Sequence, residues 1–318
     1  MSEKKLFDLR NVVTTVNDAI TKEYLFSMIG ALFVTFLWSS SFVIIKIGFA
    51  ELSPLVFSGL RYSIASIVLL TIVIMRKKYR SAAKRQSVRW WVVIALYGVV
   101  FVAITQGAQF LGLYLLPAIM VSMLLNLTPL LVIFFSVFLK EVPSIKQLLM
   151  LSVAFIGVYL YFFPFTIVGF KFLGLVIMLV GVVANALSAI LGRSINRQKE
   201  TPPVVITGIS MGIGSMLLLG LGIIVEGVPI LSFGSIVTVL WLSVVNTALA
   251  FTLWNRAMQH LRAIDISIIN STMLPQIAIL SMLFLGEFPS LFEWMGLSLV
   301  IVGVALVQLD QMRKIEKN

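Results

Sequence analysis

Ten stretches of this chain are each long and apolar enough to cross a lipid bilayer, and that feature leaves few architectures open. A helix needs roughly 20 apolar residues to span the hydrocarbon, where every backbone N–H and C=O must be satisfied within the protein. Only helices and closed barrels meet that condition, and barrel strands run to only about ten residues. The windows fall at 27–49, 53–75, 90–112, 117–139, 146–163, 172–191, 203–225, 233–254, 263–285 and 290–310, each bounded by charge, Pro or Gly. The chain therefore reads as all-α, a polytopic membrane protein of ten transmembrane helices. Its charged residues make up 12% of the total, against about 25% in soluble domains.

Charge sets the orientation. With the amino terminus placed inside, 21 of the 24 Lys and Arg fall in segments on that side, from Lys4 through Arg76–Arg89 to Lys317. The outside loops hold only Lys171, and Lys46 and Arg61 lie within spans. The net charge of +11 thus follows from membrane topology and calls for no nucleic acid. The expectation is a multi-pass protein of the cell (plasma) membrane with both termini cytoplasmic. Residues 1–26 lack the apolar core of a signal peptide, and Leu6, Leu9, Val13, Val16 and Ile20 share one helical face. That pattern predicts a short amphipathic helix on the cytoplasmic leaflet. Residues 311–318 form a basic tail on the same side.

The sequence repeats. Leu116, Ala118, Ile119 and Ser122 recur as Leu261, Ala263, Ile264 and Ser267. Pro129, Glu141, Pro143 and Ser144 recur, after one insertion, as Pro275, Glu287, Pro289 and Ser290. Gly157 matches Gly303, and upstream Ser41 and Lys46 match Ser188 and Arg193. Residues 27–163 and 164–310 are therefore two repeats. Five helices is an odd number, so the second repeat enters the membrane upside down. Inverted repeats are characteristic of secondary transporters, whose halves rock about a site near the midplane.

These segments resemble the drug/metabolite transporter superfamily in its EamA-type branch. The resemblance is carried by WSSSFVIIKIG (38–48), LSPLVFSGLRY (52–62) and the doubled Pro-to-Glu pattern, in this order over ten spans. It implies ten helices around a central cavity and export or exchange of small metabolites such as amino acids, without ATP. One departure stands out. Asn185 sits where an aromatic often stands in the second half, against Trp38 in the first.

Polar groups inside spans are costly and tend to face a cavity or a partner helix. Trp38 and Ser41 in the first helix, Gln106 and Gln109 in the third and Asn126 in the fourth are substrate-binding candidates. Asn185, Asn246, Asn270 and Gln276 join them from the second half, and Arg61 lies deep enough in the second span to need a partner or a substrate carboxylate. Converging amides suit a neutral or zwitterionic solute, and helix–helix bonding is the competing use. Pro129 and Pro275 are candidate hinges. Glu141 and Glu287 are end caps or gates, while Lys46, near its helix end, is expected to snorkel to the interface.

The chain has no cysteine, one histidine (His260), no nucleotide-binding Gly-rich loop and no Ser/His/Asp set. No cofactor, metal or enzyme activity is expected. His260, between Arg256 and Arg262, reads as a headgroup contact. The expected partners are a small-molecule substrate and the bilayer. Gly208 and Gly212 form a GxxxG that suits either close packing or a homodimer seam. A lipid-headgroup or other anionic-metabolite exchanger is the alternative function, and a scaffold without transport is the third.

Overall fold

The computed structural model describes residues 3–136, 145–164, 169–197, 201–261 and 263–315. Among these residues the helices follow the apolar windows in order. The first half holds α1 (Glu3–Gly48), α2 (Pro54–Met75), α3 (Val88–Leu115), α4 (Ala118–Leu125 continued by Thr128–Ser136) and α5 (Ile145–Phe162). The second holds α6 (Phe170–Arg197), α7 (Pro203–Glu226), α8 (Phe233–His260), α9 (Ala263–Ser271 continued by Met273–Leu285) and α10 (Leu291–Ile315). Among the described residues eight helices are long and apolar enough to cross a membrane, and Ile269–Leu285 and Leu291–Val307 are shorter apolar helices. Large apolar side chains such as Phe36, Ile67, Phe134 and Ile224 stand on the outer surface, where lipid is the solvent.

The backbone of the amino-terminal segment differs from the separate interfacial helix expected of it. It continues as α1 without a break from Glu3, and no Gly or Pro before Gly30 is there to interrupt it. Helices α6, α8 and α10 likewise outrun their apolar windows, because helix propensity persists where hydropathy ends.

Successive helices alternate in direction. One end of the bundle gathers the basic segments, including Arg76 to Arg89 and Arg256; the other gathers Glu51, Glu226, Glu287 and Glu293. At the acidic end, carboxylates meet helix starts. Glu226 accepts from the backbone N–H groups of Leu55 (3.0 Å) and Val56 (2.9 Å) at the start of α2. Glu287 accepts from Ala118 (2.9 Å) and Ile119 (3.2 Å) at the start of α4. Glu293 and Ser290 cap α10 reciprocally. At α8, Ser232 caps Ser235, and both hydroxyls donate to Glu51, holding its carboxyl below the usual carboxylate range. Helix starts carry unsatisfied N–H groups and the positive end of the dipole, so an acid is the fitting partner.

The inversion is visible in the packing. Helices α2 and α7, the second of each half, run antiparallel and touch backbone to backbone. A Cβ on Gly59 would sit 2.6 Å from Leu219 Cα, and one on Gly222 would sit 2.8 Å from Val56 N. Gly208 and Gly212 face Leu69 and Ser66 in the same seam, so this GxxxG is used inside the chain. Helices α5 and α10, the fifth of each half, meet in the same way: a Cβ on Gly157 would lie 2.7 Å from Gly296 O, and one on Gly303 would lie 2.7 Å from Ala154 N. Helix α1 packs on α8 and α9, and its mate α6 packs on α3 and α4. Each third helix contains a π-helical segment, Val99–Gln106 and Val244–Leu249. Each fourth helix restarts beside its proline, because Pro129 and Pro275 fall in a first turn, where a missing N–H is harmless.

Candidate functional site

A cavity of about 760 Å³ lies between the two halves, walled by α1, α4, α6, α8 and α9. Two pairs of repeat mates, α1 with α6 and α4 with α9, supply most of that wall. Trp38 from α1 packs against Trp254 (centroids 5.0 Å apart) and Phe251 (5.4 Å) from α8. Phe42, one turn further along α1, continues the apolar side. Asn126, Asn185 and Asn270 bring amides from α4, α6 and α9, with Thr128 and Ser122 between them. Asn185 Nδ2 donates to Thr128 Oγ1 at 3.0 Å, and Asn126 Nδ2 to the Ser122 carbonyl at 2.9 Å. An amide has two donors and an acceptor, so these bonds leave both amides capacity toward a solute. Among the described residues that line the cavity, none is charged.

The cavity opens toward the basic end. Met258 and Asn270, both exposed, lie at its mouth with Trp254 near the end of α8. Toward the acidic end it is shut by buried Ile45, Leu116 and Ile119. Behind them Lys46 Nζ donates to the Leu116 carbonyl at 2.8 Å and pairs with Glu287 Oε1 at 2.9 Å. Glu287 also caps α4, so one carboxylate from the α9–α10 connection holds α1 and α4 together. Its side chain is only 15% exposed. The lysine expected to snorkel is thus tied down, because a carboxylate and a carbonyl stand within its reach.

Five of the eight amide and cation candidates stand outside the cavity, and four of these join helices. Gln276 bridges α9 to α1, accepting from Ser39 Oγ at 3.0 Å and donating to Thr272 Oγ1 at 3.0 Å and Thr35 Oγ1 at 3.3 Å. Asn246, fully buried, donates to the Leu37 carbonyl, Ser41 Oγ and Ser40 Oγ. Arg61 donates through Nε to Thr247 Oγ1 at 2.9 Å and through Nη2 to Ser41 Oγ at 3.4 Å, its guanidinium 5.3 Å from the Tyr62 ring centre. Gln106 accepts from the Tyr62 hydroxyl at 2.6 Å, and Gln109 is half-buried on α3 away from the cavity wall. Pro129 lines the cavity, whereas Pro275 is exposed and does not. Glu141 lies outside the described residues. Phe42, Phe251, Trp254 and Met258 were not singled out by sequence. The spacing of the last three along α8 (three, then four residues) puts them on one helical face, a signal that was available.

Known proteins agree with this architecture. The model of the EamA-like transporter family matches the chain twice, over residues 25–163 and 172–309. The uncharacterized transporter YyaM of Bacillus subtilis (strain 168) is 25% identical over 276 residues, 83% of this chain and 88% of its own. An uncharacterized transporter of Archaeoglobus fulgidus is 25% identical over 284 residues, 86% of this chain and 94% of its own. A crystal structure of 19% sequence identity shares the fold with a TM-score of 0.64, covering 90% of this chain and 98% of that one. Matched along both of its inverted halves, the chain belongs to the EamA-like transporter family.

Proposed function

We propose that this transporter moves small neutral or zwitterionic metabolites, amino-acid-like ones foremost, by alternating access of its two inverted halves. The observation that carries this reading is the cavity wall: three amides and a cluster of aromatic rings, with no fixed charge among the described lining residues. A zwitterion offers donors and acceptors to the amides, and its side chain can lie on Trp38. An anionic metabolite would call for a cation on the wall, and Arg61 is instead engaged by Thr247 and Ser41. The sequence has no nucleotide loop and no acid expected near the midplane of a span, which favours facilitated flux or exchange over ATP use or strict proton coupling. The charge distribution supports a cytoplasmic basic end in a plasma-membrane protein; in that orientation the cavity faces inward and the Lys46–Glu287 pair closes the outer side.

The test is release of preloaded neutral amino acids from vesicles containing the purified protein. Trp38→Ala and Asn270→Ala should each lower the rate roughly tenfold, the effect of losing one aromatic contact or one hydrogen bond at about 1 kcal/mol or slightly more. Met216→Ala, on the lipid-facing side of α7, should leave it unchanged. Release no faster than from empty vesicles would remove the transport assignment, and full rates in both cavity variants would remove the path.

A further inference from the structure

A second depression, of about 300 Å³, lies at the basic end between the start of the apolar part of α1 and the last turn of α8. It is lined by Glu23, Phe26, Ser27, Arg256 and His260, and it shares no residue with the larger cavity. Its chemistry is different. A carboxylate on α1 stands across from a guanidinium and an imidazole four residues apart on α8, with Phe26 68% exposed beside them. His260 Nδ1 is 3.9 Å from Glu23 Oε2, beyond hydrogen-bond reach, so both groups keep bonding capacity for a third party. Basic residues in a last helical turn answer the helix dipole. That reason does not place an acid opposite them or hollow the space between. Glu23 directly precedes the apolar run of α1, and His260 ends α8, the depth at which lipid headgroups sit.

We propose that this depression is a headgroup site for a phospholipid whose ammonium still carries N–H donors, the phosphatidylethanolamine class. The phosphate meets Arg256 and His260, the ammonium donates to Glu23, and an acyl chain runs along Phe26. A trimethylated ammonium cannot donate to Glu23, and an anionic headgroup meets it with repulsion. The bound headgroup ties α1 to the turn of α8 whose inner face carries Trp254 and Met258 at the cavity mouth.

The experiment uses the full-length protein, delipidated in detergent and titrated with phosphatidylethanolamine, phosphatidylcholine or phosphatidylglycerol of identical chains. Bound lipid is read by native mass spectrometry. Phosphatidylethanolamine should be retained roughly fivefold over phosphatidylcholine, the factor expected of one partly exposed ion pair. Glu23→Gln should erase that preference, and Arg256→Ala with His260→Ala should weaken retention of both lipids. Excess inorganic phosphate should leave the lipid in place. Equal retention of the two zwitterionic lipids by the unmodified protein overturns the site without any variant. Stronger retention of phosphatidylglycerol overturns the role of Glu23, and displacement by inorganic phosphate overturns a lipid as the ligand. The readout is binding rather than flux, so its failure is separate from a failure of the transport assignment.

Discussion

Replacing Glu287 with Gln is expected to unseal the acidic end of the cavity. The carboxylate holds three groups at once: the Lys46 ammonium and the N–H groups of Ala118 and Ile119. Gln keeps the shape but loses the charge that answers both the lysine and the α4 dipole. Bonds to charged groups contribute about 2–3 kcal/mol, enough to move a two-state equilibrium roughly 30- to 150-fold. The chain has no native cysteine, so a single reporter suffices. Ser122→Cys sits on the cavity wall one turn from Ile119 and is buried while the seal holds. In the Glu287→Gln background an impermeant maleimide applied from the acidic side should label it at least tenfold faster. Exchanging the charges, Lys46→Glu with Glu287→Lys, should not restore protection, because a cation at position 287 would face the positive end of α4. Unchanged labelling in Glu287→Gln would mean that apolar packing alone forms the seal, and restored protection in the exchange would reduce the latch to a simple ion pair.

Gly157→Leu should cost the protein its fold. A Cβ at this position would lie 2.7 Å from Gly296 O and 2.8 Å from Val300 N, backbone atoms that cannot rotate aside. Accommodating Leu means separating α5 from α10 along their whole contact, and overpacking of this kind costs about 3 kcal/mol or more. The yield of monodisperse protein after mild heating should collapse. Gly220→Ala is the matched control, since nothing lies within 4 Å of its Cβ position. It should be neutral or stabilising by up to about 1 kcal/mol, because Ala is the better helix former. Survival of Gly157→Leu at the level of the control would show that the seam yields.

The helix order and the repeat were legible because lipid imposes them. A span must be apolar and about 20 residues long, and a proline kinks or restarts the helix that holds it, so Pro129 and Pro275 mark matching places. Which face of each helix meets the cavity was not legible in the same way. Core and lipid-facing side chains are both apolar, so hydropathy does not separate Phe42, which lines the cavity, from Phe36, which is exposed. Amides were ambiguous for a related reason. Asn126, Asn185 and Asn270 reach the cavity, whereas Gln276 and Asn246 are consumed between helices, and the residue types are alike. Lys46 and Glu287 were each visible as exceptions to the apolar pattern. Their pairing across the two halves depends on a fold that brings residues 241 positions apart together.

The two glycine seams also limit how such a molecule can change shape. Along α2 and α7 the close approaches fall in strict register, Gly59 on Leu219 and Gly222 on Val56. A lengthwise slip of one residue would bring Leu60 or Ser58 to the notch that only a glycine fits. Tilting about the same line needs no such exchange. For the alternating access proposed above, the seams are expected to act as fulcrums on which the halves pivot and do not glide, with the solute crossing at a fixed midpoint.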